Sequence, residues 1–216
     1  MDKLKPICKI CSKNTYKLHD VKFGIVYLRC KSCGFIHLSD DFHVTFDEER
    51  AEYDLHENSI EDMGYVNYLD NFLIKAVDPY INEGQALDFG CGPEPVLAEL
   101  LKKRGFSTKT FDRHYSHDKN ALNMKYDLIT STEVFEHFHD PLKEMTHITS
   151  CLVPGGILSI MTSVPPSDED FLKWSYRREQ THISFYTEKA LNILAQKHNL
   201  QVLYHDQKRI TVFKKL

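Results

Sequence analysis

Residues 86–95 read ALDFGCGPEP, and this stretch decides the fold of the larger part of the chain. The first four residues form a short apolar run of strand length in which Asp88 is the charged member. Glycines at positions 90 and 92 permit a tight turn, because glycine adopts backbone angles that other residues avoid. Residues 95–104 then have the apolar spacing of a helix. The stretch predicts a strand, a glycine turn and a helix in immediate succession.

Outward from this corner, strand-like and helix-like segments alternate along the chain. Strands are predicted at 106–111, 126–130 and 157–162, and helices at 65–81, 140–151 and 187–198. Two final strands, at 201–204 and 210–213, favour an antiparallel hairpin. This order predicts an α/β fold with a Rossmann-like, doubly wound and mostly parallel sheet that ends in a C-terminal antiparallel hairpin.

The composition is that of a soluble globular protein, with 42% hydrophobic and 27% charged residues among 216. The longest apolar runs are far shorter than the roughly 20 residues of a membrane span, so no membrane partner is expected. The N-terminus, MDKLKPICKIC, lacks the apolar core of a signal peptide, which predicts a cytoplasmic location and reduced cysteines. A net charge of −4 argues against broad attraction to nucleic acid. The first 33 residues still carry eight Lys and Arg against two Asp, which leaves RNA open as a partner.

Four cysteines near the N-terminus form two C-x2-C pairs, Cys8 with Cys11 and Cys30 with Cys33. Two such pairs present four thiolates to a Zn²⁺ ion in tetrahedral geometry. The ion would be structural, because protein fills all four positions. The alternative is four unrelated thiols. We predict three parts of the chain: a zinc ribbon (1–38), a linker or lid segment (39–64) and a main domain (65–216).

Asp88 and the two glycines lie where a parallel sheet places its ligand, at the carboxyl end of a strand and before a helix. A nicotinamide dinucleotide site requires a third glycine in the pattern G-x-G-x-x-G, and Pro95 occupies that position. The Asp88 carboxylate is instead suited to pair with an ammonium group of a cofactor. The alternative is a plain strand-turn-helix corner.

The chain resembles the class I S-adenosylmethionine-dependent methyltransferases through three motifs. They are LDFGCG at 87–92, EVFEH at 133–137 and LVPGG at 152–156. The resemblance covers residues 65–216, and the C-terminal hairpin is characteristic of that family. It implies that the chain transfers a methyl group from S-adenosylmethionine.

The same resemblance implies which residues bind the cofactor. They are Asp88, Gly90, Cys91 and Gly92. Asp112, at the end of the second strand, would bind the ribose hydroxyls; the alternative is an acid in a surface turn. Residues 113–126 are too few for the helix, strand and loop that carry the adenine contact in the family.

A second group of candidate site residues follows the predicted strand at 126–130. Glu133, Glu136 and His137 are spaced so that one helical turn would gather them at the mouth of the sheet. Carboxylates and imidazoles together suit a divalent metal ion, and His182 is the candidate fourth ligand. We therefore predict a possible second metal site beside the cofactor.

The E-x-x-E-H run and the later histidine are similar to those of methyltransferases of ubiquinone biosynthesis and of small-RNA 3′-end methyltransferases. The similarity implies methylation of an oxygen, with a metal that lowers the pKa of the hydroxyl. Glu136, His137 and His182 are then the candidate catalytic residues. Without a metal, Glu136 would cap a turn or form an ion pair, His137 would be a hydrogen-bonded core histidine and His182 would be a general base.

The function that these observations favour is O-methylation of a small or sugar-like hydroxyl compound. RNA is the alternative acceptor, and a non-catalytic zinc-ribbon binding module is the alternative class of protein. Arg177 and Arg178 precede His182 and are interpreted either as a site for an anionic substrate or as a solvated charge pair.

Overall fold

The computed structural model describes residues 6–55, 58–115 and 119–216. The first five residues of the predicted ribbon, residues 56 and 57 of the predicted linker or lid, and residues 116–118 of the short segment after Asp112 lie outside the described residues. The division of the chain into three parts stays a prediction.

The N-terminal part is a small antiparallel sheet. Its strands are β1 (Thr15–Asp20), β2 (Ile25–Cys30) and β3 (Ile36–Leu38). β2 pairs with β1 on one side and with β3 on the other. Asp20 closes the turn between β1 and β2, because its carboxylate accepts hydrogen bonds from the backbone N–H groups of Lys22 and Phe23.

The described residues contain six α-helices. They are α1 (Phe46–Tyr53), α2 (Met63–Ala76), α3 (Val96–Lys103), α4 (Pro141–Cys151), the single turn α5 (Asp168–Phe171) and α6 (Glu188–Lys197). α2 begins earlier than predicted, because the Asp62 carboxylate caps its first turn. It also ends earlier, since Pro79 has no N–H to continue the helix. No helix in the described ranges combines the length and apolar character that a bilayer crossing requires.

Within the described residues, the main sheet has six strands. Seven further strands are described, and all of them except β8 belong to this sheet. They are β4 (Gln85–Phe89), β5 (Ser107–Phe111), β6 (Tyr126–Thr132), β7 (Leu152–Met161), β8 (Ser184–Phe185), β9 (Leu200–His205) and β10 (Ile210–Lys215). The order across the main sheet is β5-β4-β6-β7-β10-β9. β4 to β7 are parallel, and β10 runs antiparallel to both β7 and β9. The predicted α/β fold with its C-terminal hairpin is confirmed.

Helices cover both faces of the main sheet, as a doubly wound fold requires. Leu73 of α2 and Leu101 of α3 are buried in one apolar cluster, and Ile148 of α4 and Leu194 of α6 are buried in another. The segment after Asp112 forms a 3-10 turn at Lys119–Asn123. Among the described residues β5 pairs with β4 alone and is therefore an edge strand.

The small and the main sheet are joined through β8. This strand follows the candidate residue His182 and pairs antiparallel with β3, with Ile36 opposite Phe185. A buried ion pair between Asp20 and Arg177 makes a second connection. The interpretation of Arg177 as part of a solvated charge pair is wrong, because this residue is 2% exposed and pairs with Asp20. Arg178 is exposed.

Candidate active site

The four ribbon cysteines converge on one point. The Sγ–Sγ distances are 3.6 Å for Cys8–Cys33, 3.4 Å for Cys11–Cys30 and 3.6 Å for Cys11–Cys33. Sulfurs at about 2.3 Å from a tetrahedral zinc ion lie about 3.8 Å from one another, so the cluster has nearly the right size. The backbone N–H of Ile10 donates to Cys8 Sγ, an arrangement that stabilises a thiolate. The cysteines therefore fit a structural zinc ion, and zinc itself stays a prediction.

The glycine turn after β4 packs directly on the end of β6. Gly90 has a φ of 82°, and a Cβ at this position would lie 2.2 Å from Val134 Cγ2. Gly92 also has a left-handed φ, of 67°, but a Cβ there would meet no atom of the described residues within 4 Å. Gly90 is thus required for packing within the protein, whereas the space above Gly92 is open to a ligand.

Asp88 lies on β4 below this turn and is 2% exposed. Its carboxylate accepts hydrogen bonds from the Thr130 hydroxyl, at 3.4 Å, and from the backbone N–H of Ala98 in the first turn of α3. Burial raises the pKa of Asp88 to about 7, because the charged form loses hydration. Asp88 therefore helps to hold α3 against the turn. Its pairing with a cofactor ammonium stays a prediction.

Asp112 closes the turn from the side of β5. Its Oδ2 accepts from the backbone N–H of Gly92 at 2.9 Å, and its Oδ1 accepts from the N–H of His114 at 2.7 Å. The structure thus places the predicted ribose ligand beside the predicted cofactor loop. The half-buried Cys91 thiol between the two glycines has its pKa raised to about 12, chiefly by burial, so it is protonated at neutral pH. Its contact with the cofactor stays a prediction.

The second group of candidate residues is brought together only in part. Glu136, His137 and His182 each place a ligand atom within 4.8 Å of the others. Glu136 and His137 belong to a 3-10 turn, Phe135–His137, rather than to an α-helical turn. His182 reaches them because the backbone N–H of Ile183 donates to the carbonyl oxygen of Glu136 at 2.8 Å. Three of the four predicted ligands therefore form one cluster.

The backbone fixes which nitrogen of each histidine can bind a ligand. His137 Nδ1 lies 3.0 Å from the Thr181 carbonyl oxygen, and His182 Nδ1 lies 2.7 Å from the Tyr176 carbonyl oxygen. A carbonyl oxygen only accepts, so both Nδ1 atoms carry a proton. His182 Nε2 already has a partner, because it lies 3.1 Å from Glu179 Oε2. Backbone support of this kind is typical of metal-binding histidines. Burial, followed by His137, lowers the pKa of His182 to about 4, which keeps its ring neutral.

Glu133 lies outside this cluster. Its backbone has a φ of 53°, which turns the side chain away from the line of Glu136 and His137. Its carboxylate accepts from the Tyr68 hydroxyl at 2.7 Å and from the Tyr176 hydroxyl at 2.8 Å. A ligand set that includes Glu133 would need this side chain to rearrange.

Tyr176 is a site residue that the sequence did not reveal. Its hydroxyl contacts Glu133 Oε2 at 2.8 Å and Glu136 Oε1 at 2.5 Å. One phenol proton cannot serve both carboxylates, so the pair must hold a further proton. Burial, followed by repulsion from Glu133, raises the pKa of Glu136 well above its usual range and makes Glu136 the place for that proton.

Helix α1 covers the same region from the predicted lid segment. Its one buried residue is Glu49, which lies 3.5 Å from His114 Nε2 and accepts from the Tyr53 hydroxyl at 2.9 Å. The Tyr53 ring also lies edge-on to His137, with 5.1 Å between centroids. α1 therefore links the end of β5 to the histidine cluster, and no local sequence pattern signalled these contacts.

A family model described as "Methyltransferase domain" matches residues 65–205. No curated protein matches the chain significantly.

Solved structures with the same fold include three methyltransferases at low identity. The mitomycin 7-O-methyltransferase MmcR has a TM-score of 0.54 and 15% identity, over 71% of this chain and 55% of that one. CalO1, a methyltransferase in calicheamicin biosynthesis in its SAH-bound form, has a TM-score of 0.51 and 16% identity over the same shares. Magnesium protoporphyrin IX methyltransferase (ChlM) from Synechocystis PCC 6803 with bound SAH has a TM-score of 0.51 and 15% identity, over 79% of this chain and 94% of that one. The chain spans about half the length of the first two.

Proposed function

This chain belongs to the methyltransferase-domain family, and on that premise we propose that it transfers the methyl group of S-adenosylmethionine to a hydroxyl group of a small molecule. Two structures of the same fold were solved with SAH bound, which supports the choice of cofactor. A third structure of this fold is the mitomycin 7-O-methyltransferase MmcR, which is consistent with an oxygen acceptor.

The observation that carries the proposal is the contact between Gly90 and Val134. It presses the candidate cofactor turn against the loop that holds Glu136 and His137. Methyl transfer requires the nucleophile, the methyl carbon and the sulfur to be held in line at close range. The contact between Gly90 and Val134 brings the two candidate sites next to each other, which supports this proposal.

The cofactor half of the proposal rests on the turn. The open space above Gly92 admits a ligand close to the backbone, and Asp112 is held beside it by the Gly92 N–H. We assign the ribose hydroxyls to Asp112 and the cofactor ammonium to Asp88. The ammonium would favour the ionised form of Asp88, whose pKa burial alone raises to about 7.

The acceptor half rests on the histidine cluster. In the reaction the acceptor oxygen forms a bond to the methyl carbon as the bond from carbon to sulfur breaks, and the sulfonium becomes a neutral thioether. The hydroxyl proton must leave the oxygen. We assign this proton to His182, whose Nδ1 is held by the Tyr176 carbonyl oxygen at 2.7 Å and whose Nε2 lies 3.1 Å from Glu179 Oε2. The acceptor hydroxyl would reach Nε2 in place of Glu179.

A divalent metal is an alternative way to activate the hydroxyl. Glu136, His137 and His182 would hold it, since their ligand atoms lie within 4.8 Å of one another. Glu179 would have to leave His182 Nε2 for this nitrogen to bind the ion. When bound, such an ion lowers the pKa of a coordinated hydroxyl. Glu136 would have to lose its proton to bind the ion.

RNA as the acceptor has less support. Two of the basic residues in the ribbon are engaged in ion pairs, Lys9 with Asp40 and Arg29 with Asp168, both at 2.7 Å. These pairs reduce the positive charge that the ribbon offers to a phosphate backbone.

The test is a calorimetric titration of the zinc-loaded protein with S-adenosylhomocysteine, repeated on Asp112→Asn. We expect micromolar binding that weakens about tenfold in the variant, as the loss of one charge-assisted hydrogen bond to a ribose hydroxyl predicts. Asp127→Asn is the matched control, because Asp127 also accepts a backbone N–H, that of Gln85, but at the opposite end of the sheet. Absence of binding to the wild-type protein would refute the proposed function.

A further inference from the structure

A cavity of about 350 Å³ lies between the ribbon sheet and residues 177–182. One wall comes from the ribbon and is apolar, with Ile25 on β2 and Leu38 on β3. Two aromatic rings, Phe23 in the β1–β2 turn and Phe42 after β3, extend this wall. The volume of the cavity lies in the range of small-molecule sites, which are mostly apolar with a few polar groups.

The walls of this cavity are fixed from both sides. Pairing of β3 with β8 holds the ribbon against the main domain, and the buried ion pair of Asp20 with Arg177 ties the β1–β2 turn to the opposite wall. The Tyr27 hydroxyl adds a hydrogen bond of 3.1 Å to the Arg177 carbonyl oxygen. These contacts define a built pocket and not a gap between loosely packed parts.

His182 connects the cavity to the candidate active site. His182 is one of the residues that line the cavity, and its ring centroid lies 4.9 Å from that of His137. A molecule in the cavity can therefore present a polar group to His182 while its remaining surface lies on the ribbon.

We propose that this cavity binds the methyl acceptor, and that the acceptor is a hydroxylated aromatic compound whose ring lies against Phe23 and Phe42 and whose hydroxyl faces His182. The assignment rests on the proposed methyltransferase function and names its substrate class. Burial of an aromatic ring against apolar and aromatic side chains contributes favourable binding free energy. The opposite wall carries Arg178, Glu179 and Gln180, which can serve the polar substituents of such a compound. A sugar would also turn hydroxyls toward the wall formed by Ile25 and Leu38, where they would lose water without gaining partners. The ribbon is then part of the acceptor site as well as a structural module.

The experiment uses 2-naphthol as the probe. Its binding to the zinc-loaded full chain is followed by calorimetry, with and without S-adenosylhomocysteine, and methyl transfer from S-adenosylmethionine is followed by product analysis. Ile25→Trp fills the cavity, and we expect it to weaken 2-naphthol binding about tenfold or more while the affinity for S-adenosylhomocysteine is unchanged. Val26→Trp is the matched control, since alternate residues of a strand face opposite sides and Val26 is absent from the cavity lining.

A gentler pair of variants guards against misfolding. Phe23→Ala removes a ring that is 51% exposed, and Val21→Ala removes apolar surface from the same turn at a residue that is 91% exposed. Only the first should weaken 2-naphthol binding. The acceptor site is refuted if wild-type protein binds no 2-naphthol, or if Ile25→Trp and Phe23→Ala bind it as wild type does. Failure of S-adenosylhomocysteine to bind, with 2-naphthol binding still sensitive to Ile25→Trp, would instead refute the methyltransferase function and leave the cavity as a ligand site.

Discussion

Gly90 packs against Val134 so closely that a Cβ on the glycine would lie 2.2 Å from Val134 Cγ2. This contact joins the turn after β4 to the loop after β6, and hence the candidate cofactor site to the candidate acceptor site. Gly90 is therefore needed for packing, whereas Gly92 leaves space for a ligand. Substitutions at the two positions should have different effects on stability and on cofactor binding.

Gly90→Ala should lower the free energy of unfolding by about 3 kcal/mol or more, since it adds both a steric clash and a strained left-handed residue. Gly92→Ala should cost only the strain, about 1–2 kcal/mol, and should weaken S-adenosylhomocysteine binding because its methyl group enters the open space above the turn. Denaturant unfolding and calorimetry measure the two effects. Val134→Ala should partly rescue Gly90→Ala; the absence of any rescue would contradict the packing role.

Asp88 should make cofactor binding dependent on pH. Its pKa of about 7 in the folded protein exceeds the ordinary value of 3.8, so the folded state holds a proton between these values that the unfolded state has lost. The free energy of unfolding should therefore fall as the pH rises from about 4 to 7. An ammonium beside Asp88 favours the carboxylate, so S-adenosylhomocysteine binding at pH 6 should release a proton.

Calorimetry in buffers with different heats of ionisation measures this proton release. Asp88→Asn cannot titrate and should abolish it, while its amide can still accept the Ala98 N–H that supports α3. Proton uptake, or equal release in the variant, would be incompatible with the assignment of the ammonium to Asp88.

The buried pair of Asp20 and Arg177 should contribute strongly to the attachment of the ribbon. Asp20→Ala leaves an unpaired guanidinium that is 2% exposed, and we expect a loss of about 3–5 kcal/mol in the free energy of unfolding. The double variant Asp20→Ala/Arg177→Met should recover part of this loss. A double-mutant cycle provides the measurement, and additive effects would show that the two residues are energetically independent.

The N-terminal sheet with its four clustered cysteines should influence the proposed acceptor site but not the cofactor site. Removing one cysteine ligand by Cys11→Ser should release zinc and loosen β3, which pairs with β8 directly after His182. We expect 2-naphthol binding to be lost and the affinity for S-adenosylhomocysteine to stay within about twofold, since the glycine turn makes its contacts within the main domain. Equal losses for both ligands would instead indicate general unfolding.

Local patterns predicted much of this architecture. The strand, turn and helix around Gly90 and the four convergent cysteines follow from short motifs whose geometry is set by neighbouring residues. The C-terminal hairpin likewise follows from two strands close in sequence. These features depend on interactions that a short window of sequence contains.

The parts that sequence could not reveal depend on distant partners. Arg177 is buried because Asp20, 157 residues away, supplies its counter-charge. The pairing of β3 with β8 has no local signature, since β8 is only two residues long. Glu133 leaves the predicted ligand cluster because its backbone enters the left-handed region, which periodicity arguments do not anticipate.

The remaining choice, between a metal and a proton acceptor at Glu136, His137 and His182, can be decided by direct binding of Mn²⁺. Titration of the zinc-loaded chain, followed by electron paramagnetic resonance, should detect one Mn²⁺ per chain whose binding is lost in His182→Gln. His147→Gln is the control, because His147 is an exposed histidine on α4 whose partner is Glu144. Affinity should fall as the pH falls, since the pKa of Glu136 is raised and the ion must displace its proton. If wild-type protein binds no Mn²⁺ and His182→Gln still loses methyl transfer while retaining S-adenosylhomocysteine, the cluster acts through His182 as a general base.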